Sequence, residues 1–361
     1  MSKKLPNLEV LRGFLALCVV IFHIPSISKT VELPNFSGLP ILHRGHEAVY
    51  AFFTLSGFLI VNLLYQEKKN SGTINIKNFF LRRILRIYPV YYVVLIIGFL
   101  YYHYLLPKFG IPYEINYKLA EGIALAVGFM PNVFRALHQP GSILLILWSI
   151  GIEEQFYILI AFATLIIPVK RYVKTLLIFT IIYFILYFLP EFDLFRRFYM
   201  YFFYMSFGGA IAILNSENKI NFLVFKKLPL KILIYSAFIL HFFTNYLQFE
   251  NQAIRHFLSM ILFGIFILNI SSETIFIVKN RFINHLGKVS YGIYMYHMIV
   301  INFVLFLFLK FEIASYLSNW QTIILINLIC IIGTILVSHF SYEYFEIPFL
   351  RLKNRFRKKY S

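Results

Sequence analysis

The amino-acid sequence predicts an all-α protein, a polytopic membrane helix bundle of about ten transmembrane helices with one extra re-entrant or interfacial segment. Three observations predict it. Of the 361 residues, 60% are hydrophobic and only 14% charged, with a mean hydropathy of +0.73, too little polar surface to clothe a soluble fold of this size. Apolar stretches of about 20 residues, the length at which a helix crosses a bilayer, recur from end to end. The polar residues between them are mainly basic, as in loops kept on the cytoplasmic side. No long polar segment stands apart, so residues 1–361 are expected to form a single transmembrane domain.

The apolar segments fall at 8–27, 47–66, 88–106, 118–134, 143–168, 173–190, 197–214, 229–247, 255–271, 290–309 and 321–345. The first follows "MSKKLPN" and resembles a signal peptide superficially. It has no small-residue cleavage site, and Arg12 interrupts its apolar core, so it is expected to be a retained span. Both ends of the chain are basic, "MSKK" and "RLKNRFRKKYS", which places both termini in the cytoplasm and requires an even number of crossings. The weakest segment is 118–134, short and interrupted by Glu121 and by Met130-Pro131-Asn132. Leaving it out puts the basic loops "EKKNSGTINIKNFFLRRILR", "PVKRYVK", "NSENKINFLVFKKLPLK" and "VKNRFINHLGK" all inside. The net charge of +18 then reads as membrane orientation, and no nucleic-acid partner is expected. Cys18 and Cys330 lie in apolar runs, no H-E-x-x-H or cysteine pair occurs, and no metal is expected.

Against this background a few polar residues are out of place. Arg12 and His23 lie eleven positions apart in the first span, close to three helical turns, so they share a face about 16 Å apart along the axis. Charges in mid-membrane are costly and usually face a cavity or a partner. The loop charges put Arg12 near the cytoplasmic end and His23 in the outer half. Ser56-Gly57 in "FFTLSGFLI" is a small pair that admits close approach of a helix or a ligand. In "RRILRIYPVYY", Arg83 and Arg86 share a face beside Arg82, and Tyr88-Pro89 marks a bend where the chain enters the bilayer. Guanidinium groups so grouped either anchor the loop or clamp phosphate. "WSIGIEEQFYIL" holds Trp148 and an acidic pair, with Glu153 about 15 Å in from the outer boundary, a depth close to that of His23. "GKVSYGIYMYHMIV" places Tyr294 and His297 on one face, in the cytoplasmic half on this topology. Glu343 and Glu346 precede Pro348 near the end of the last span.

The ordered set "LEVLRG…FH", "FFTLSGFLI", "RRILRIYPVYY", "WSIGIEEQFY", "SYGIYMYH" and "SYEYFEIPFLRLK" resembles the integral-membrane acyltransferase 3 family, O-acyltransferases of cell-surface carbohydrates. The resemblance runs from about residue 8 to 353. It implies ten spans, acyl-CoA (acetyl-CoA by default) as cytoplasmic donor and a carbohydrate acceptor outside, in the bacterial cytoplasmic membrane. It also maps importance onto Arg12, His23, Ser56, Gly57, Arg83, Arg86 and Glu153. Many members carry Gly-Val-acidic ahead of the double Phe, where this chain has Ala48-Val49-Tyr50, which leaves Glu153 as the expected partner of His23.

The reaction expected is direct acyl transfer. The coenzyme phosphates would meet Arg82, Arg83 and Arg86, with Arg12 farther in. His23 would act as general base and Glu153 would orient it. Trp148, Ser56, Tyr294 or another tyrosine would donate to the oxyanion. The alternatives are a transporter or flippase for a glycan or lipid-linked sugar, and a transferase using a polyprenol-linked sugar. The first calls for internal repeats and the second for acidic loop clusters, and neither is visible in the sequence.

Overall fold

A computed structural model describes residues 7–217, 227–272 and 274–356, and every regular element among them is a helix. The basic runs "MSKK" and the last five residues, and residues 218–226 of one basic loop, lie outside the described residues. The long helices are α1 (Leu8–Thr30), α2 (Gly45–Ser71) and α3 (Ile76–Leu100). Two short ones follow, α4 (Leu119–Val127) and α5 (Pro131–His138), then α6 (Trp148–Ile166), α7 (Tyr172–Phe188) and α8 (Phe202–Ser216). Later in the chain come α9 (Leu228–Phe243), α10 (Gln252–Ser272), α11 (Ser290–Lys310), α12 (Asn319–Phe340) and α13 (Ile347–Arg355), and a few shorter helices join these elements.

Among the described residues eight helices are long and apolar enough to cross a membrane, and a ninth span arises if the pair Pro190–Arg197 and Phe202–Ser216, bent by 81°, is counted as one. The 16-residue apolar α9 coincides with the remaining expected span but is shorter than the others. The count of ten is therefore approximate. The segment expected not to span, 118–134, folds as α4 and α5, each too short to cross.

Helix ends follow local chemistry. α1 carries Glu9 in its first turn and Lys29 in its last, charges that complement the helix dipole. The Asn75 side chain caps α3 by accepting from the Asn78 N–H at 2.8 Å. Ser318 and Gln321 form a reciprocal capping box at the start of α12. The expected bend at Tyr88-Pro89 does not break α3: Pro89 sits inside one unbroken helix, which also takes in Arg82, Arg83 and Arg86. Two single-turn π-helices, Tyr101–Leu105 and Ser341–Glu346, extend α3 and α12.

The chain forms two compact units. Unit 1 comprises the chain to Phe22, Ser37–Ile74 and Phe156–Lys288. Its centre is the packing of α2 on α8, where glycines allow contact at backbone distance: a Cβ on Gly57 would stand 1.9 Å from the Met205 carbonyl oxygen, and one on Gly208 2.1 Å from that of Thr54. In the same unit Lys68 donates from Nζ to the carbonyls of Thr164, Leu165 and Ile167 at 2.6, 3.0 and 2.7 Å, closing the end of α6. Unit 2 comprises His23–Phe36, Asn75–Gln155 and the chain from Val289 onward, and its core joins α3, α11, α12 and α13.

Candidate active site

Unit 2 brings together most of the residues singled out in the sequence. His297, fully buried on α11, has its Nδ1 2.5 Å from the carbonyl oxygen of Tyr294 one turn earlier. A carbonyl only accepts, so Nδ1 carries a proton, and in the neutral form of the ring Nε2 presents a lone pair. That lone pair lies 3.2 Å from Nδ1 of His23, with ring centroids 5.0 Å apart. His23 therefore donates from Nδ1, and its own lone pair is held at Nε2. A backbone carbonyl thus sets the tautomers of two imidazoles in sequence.

This contact differs from the expectation in one respect. His297 was placed in the cytoplasmic half and His23 in the outer half, yet the two rings meet at one level. The span boundaries read from hydropathy could not register one helix against another. Glu153, the partner expected for His23, is half-buried on α6, and its charge acts on Tyr294, whose ring lies 5.8 Å from that of His297.

Around the pair the polar groups are consistently paired. The Tyr294 hydroxyl donates to the Ile146 carbonyl at 2.9 Å and accepts from Ser149 Oγ at 2.7 Å, so its one hydrogen is already committed. Trp148 lies under Arg135 of α5, whose Cζ is 4.9 Å from the indole centroid. Arg135 also acts on Tyr294, which gives the short α4–α5 segment a place in the site that hydropathy alone did not reveal.

The arginines of α3 have separate companions. Arg82 donates from Nη1 to the Phe356 carbonyl at 2.9 Å, just beyond α13. Arg83 acts on Glu154, a buried carboxylate whose Oε1 has no hydrogen-bond partner among the described residues. Arg86 acts on Glu346, which accepts from Ser341 Oγ at 3.2 Å, and Ser341 in turn is 2.9 Å from the Tyr296 hydroxyl. Tyr291 ties α11 to α3 by donating to the Ile87 carbonyl at 2.7 Å. The sequence marks Glu153 and Glu154 as an acidic pair and gives a role only to Glu153. The signal for the second acid was the arginine spacing on α3, legible only once α3 and α6 are adjacent.

Unit 1 holds the remaining candidates. Arg12 is half-buried on α1, between Glu9 and Gly13, where Leu286-Gly287 of the short helix Arg281–Lys288 packs against it: a Cβ on Gly287 would stand 1.8 Å from the Glu9 carbonyl oxygen. The Ser56 hydroxyl is hydrogen-bonded to the Tyr157 hydroxyl, and Gly57 is occupied by the α2–α8 packing. No group of three or more metal-ligating side chains occurs among the described residues.

A sequence model of the family described as "Acyltransferase domain" matches residues 5–342. The chain is 26% identical over 382 residues to a "Putative O-acetyltransferase" of Staphylococcus aureus (strain COL), covering 96% of this chain and 57% of that protein. It is 28% identical over 165 residues to "Peptidoglycan O-acetyltransferase OatA" of Listeria monocytogenes, covering 44% of this chain and 24% of that protein. It is also 25% identical over 323 residues to a "Putative acetyltransferase" of Acidianus two-tailed virus, covering 82% of this chain and 83% of that protein. The chain spans little more than half the length of the staphylococcal relatives it matches. No solved structure matches it.

Proposed function

The chain belongs to the Acyltransferase domain family, and on that premise we propose that it is a membrane O-acetyltransferase. Acyl-CoA, acetyl-CoA by preference, is the donor, taken from the cytoplasm. A hydroxyl of a cell-surface or exported carbohydrate is the acceptor, and the setting is a bacterial cytoplasmic membrane with both chain ends inside. The names of the relatives support the reaction class, and the peptidoglycan named for one of them supports a glycan acceptor. The observation that carries the reading is the His23–His297 contact, because it prepares a base at one defined nitrogen.

In the proposed step, His23 Nε2 takes the proton of the acceptor hydroxyl as its oxygen attacks the thioester carbonyl carbon. The new C–O bond forms, the C–S bond breaks, and the leaving thiolate recovers the proton from the imidazolium. The products are an ester and coenzyme A. His297 accepts from His23 Nδ1–H throughout and so holds the ring and shares the transient charge. Glu153 adds negative potential on the same side.

With the Tyr294 hydrogen committed, we assign the oxyanion to Trp148, whose indole lies against the Arg135 cation. Ser56 and Gly57 are assigned to the helix frame. The donor phosphates are assigned to Arg82, Arg83 and Arg86, and Arg12 to the coenzyme arm. Arg83 acts on Glu154 and Arg86 on Glu346, while Arg82 donates to a backbone carbonyl, a balance that leaves positive charge for an anionic donor.

The test is mass analysis of surface polysaccharide and glycolipid from cells with and without the gene. Loss of an acyl group on deletion is expected, restored by the wild-type gene and not by His23→Ala. An acyl content that does not depend on the gene would remove the proposal.

A further inference from the structure

Unit 1 contains a polar cluster that the acyl-transfer step does not use. Its members are Arg44 and Glu47 at the start of α2, His241 at the end of α9, and Arg255 and His256 at the start of α10. Arg44 is only 4% exposed. Its Nη2 donates to the Thr244 carbonyl and to Asn245 Oδ1, both at 2.7 Å, while its Nε has no hydrogen-bond partner among the described residues. His241 is 2% exposed, lies in the field of both Arg44 and Arg255, and has no partner at Nε2 among them. Gln248 sits in the turn that begins at Asn245, and its Nε2 is a third buried nitrogen with no partner among the described residues. Buried polar nitrogens are ordinarily satisfied, because leaving one bare costs free energy. Three of them around one turn call for a ligand rich in acceptors.

The charges define that ligand further. Glu47 faces both arginines, so two cations oppose one carboxylate and one positive charge is left over, the complement of a monoanion. Tyrosines wall the cluster. Tyr50 and Tyr204 stack with centroids 5.1 Å apart at 8°, the Tyr50 hydroxyl donates to that of Tyr201 at 3.3 Å, and Tyr204 is 3.0 Å from His256 Nδ1. Aromatic faces beside a carboxylate and guanidinium groups are the surfaces on which sugar C–H faces and hydroxyls are held. Gly45 lies under the ring of Phe22, so the cluster is level with the Phe22 turn of α1 within this unit.

We propose that this cluster is a subsite for a carboxylate-bearing sugar, the carboxylate meeting Arg44 Nε, His241 and Gln248 while Glu47 accepts from a ring hydroxyl. The inference rests on the O-acetyltransferase reading only in calling that sugar part of the acceptor. The carboxylate-bearing sugar is preferred to a phospholipid headgroup because the tyrosine wall suits a ring.

The experiment measures binding without any acyl donor, using the full chain in phosphatidylcholine nanodiscs. The probes are a tetrasaccharide alternating glucuronate with N-acetylglucosamine, and neutral chitotetraose. The acidic probe is expected to bind about tenfold more tightly, with a preference that fades as salt rises. Glu47→Gln should tighten it severalfold and Arg255→Gln should weaken it severalfold. Misfolding cannot produce the gain. Equal binding of the two probes, a Glu47→Gln variant no tighter than wild type, or displacement of the acidic probe by phosphatidylglycerol would each overturn the subsite. Binding as expected with no acetyl transfer from acetyl-CoA to any glycan would instead remove the O-acetyltransferase reading and leave the subsite standing.

Discussion

His23 Nδ1 and His297 Nε2 stand 3.2 Å apart, and the Tyr294 carbonyl behind His297 sets the direction of the hydrogen bond between them. The pair resembles the imidazole–carboxylate arrangement of hydrolases with a neutral acceptor in place of the acid. His297 is therefore a positioning residue that acts through His23. His297→Ala should lower kcat on the order of 10²-fold, within the usual worth of general-base catalysis, and leave KM for the acyl donor unchanged. His297→Gln keeps an acceptor for the His23 N–H and should recover part of the loss. A donor KM that rises in step with the fall in kcat would show that His297 serves binding instead.

Arg83 and Glu154 give a separate prediction about folding. Both side chains are buried, and the Arg83 charge acts on the Glu154 carboxyl across a low-dielectric interior. Arg83→Met or Glu154→Met alone should each destabilise, and the double replacement by methionine should cost less than the sum of the two. Thermal unfolding of the detergent-solubilised variants gives the cycle directly. Additive losses would mean that the two charges do not see each other.

How much of this was legible in the sequence follows from the kind of signal each feature leaves. Single-helix properties were readable: the apolar lengths of the spans, the Arg12–His23 spacing and the weakness of 118–134 all reside in contiguous residues. Relations between helices were not. Nothing in the spacing of "SYGIYMYH" reveals that His297 reaches His23, because that depends on the register of α11 against α1. Hydropathy also hides functional neighbours on short polar helices, which is why Arg135 on α5 was passed over although it covers Trp148. Tyr50, taken as the loss of an acidic group, has Glu47 one turn before it on α2, and the charge of Glu47 acts on its hydroxyl. A position-by-position reading misses an acid displaced by one helical turn.

Lys68 supplies the next prediction. Its ammonium gathers three carbonyls at the end of α6, where the helix dipole is negative and the backbone acceptors lack intrahelical donors. Lys68→Met retains most of the apolar stem and removes all three bonds. A loss of about 3 kcal/mol is expected, since hydrogen bonds to charged groups are individually strong but share one desolvation cost. Hydrogen exchange should rise first in residues 160–167. Uniform exchange along α6 with an unchanged unfolding temperature would show that water replaces the cap without penalty.

The α2–α8 contact separates structure from chemistry at "LSG". Gly57 lies so close to the Met205 carbonyl that an added methyl must push the helices apart, and Gly208 makes the reciprocal approach to Thr54. Backbone atoms cannot rotate away as a side chain would, so Gly57→Ala should cost several kcal/mol, about the upper range for overpacking. Gly57→Ala and Gly208→Ala together should cost less than their sum, because once the helices separate the second methyl meets little resistance. Ser56→Ala removes only the hydroxyl bonded to Tyr157 and should cost about 1 kcal/mol. The measurements are unfolding temperature and acyl transfer for the same four proteins. Activity should fall with stability across the two glycine variants and their double, and stay near wild type for Ser56→Ala. A Ser56→Ala protein that is stable yet inactive would move this serine from the helix frame into the reaction itself.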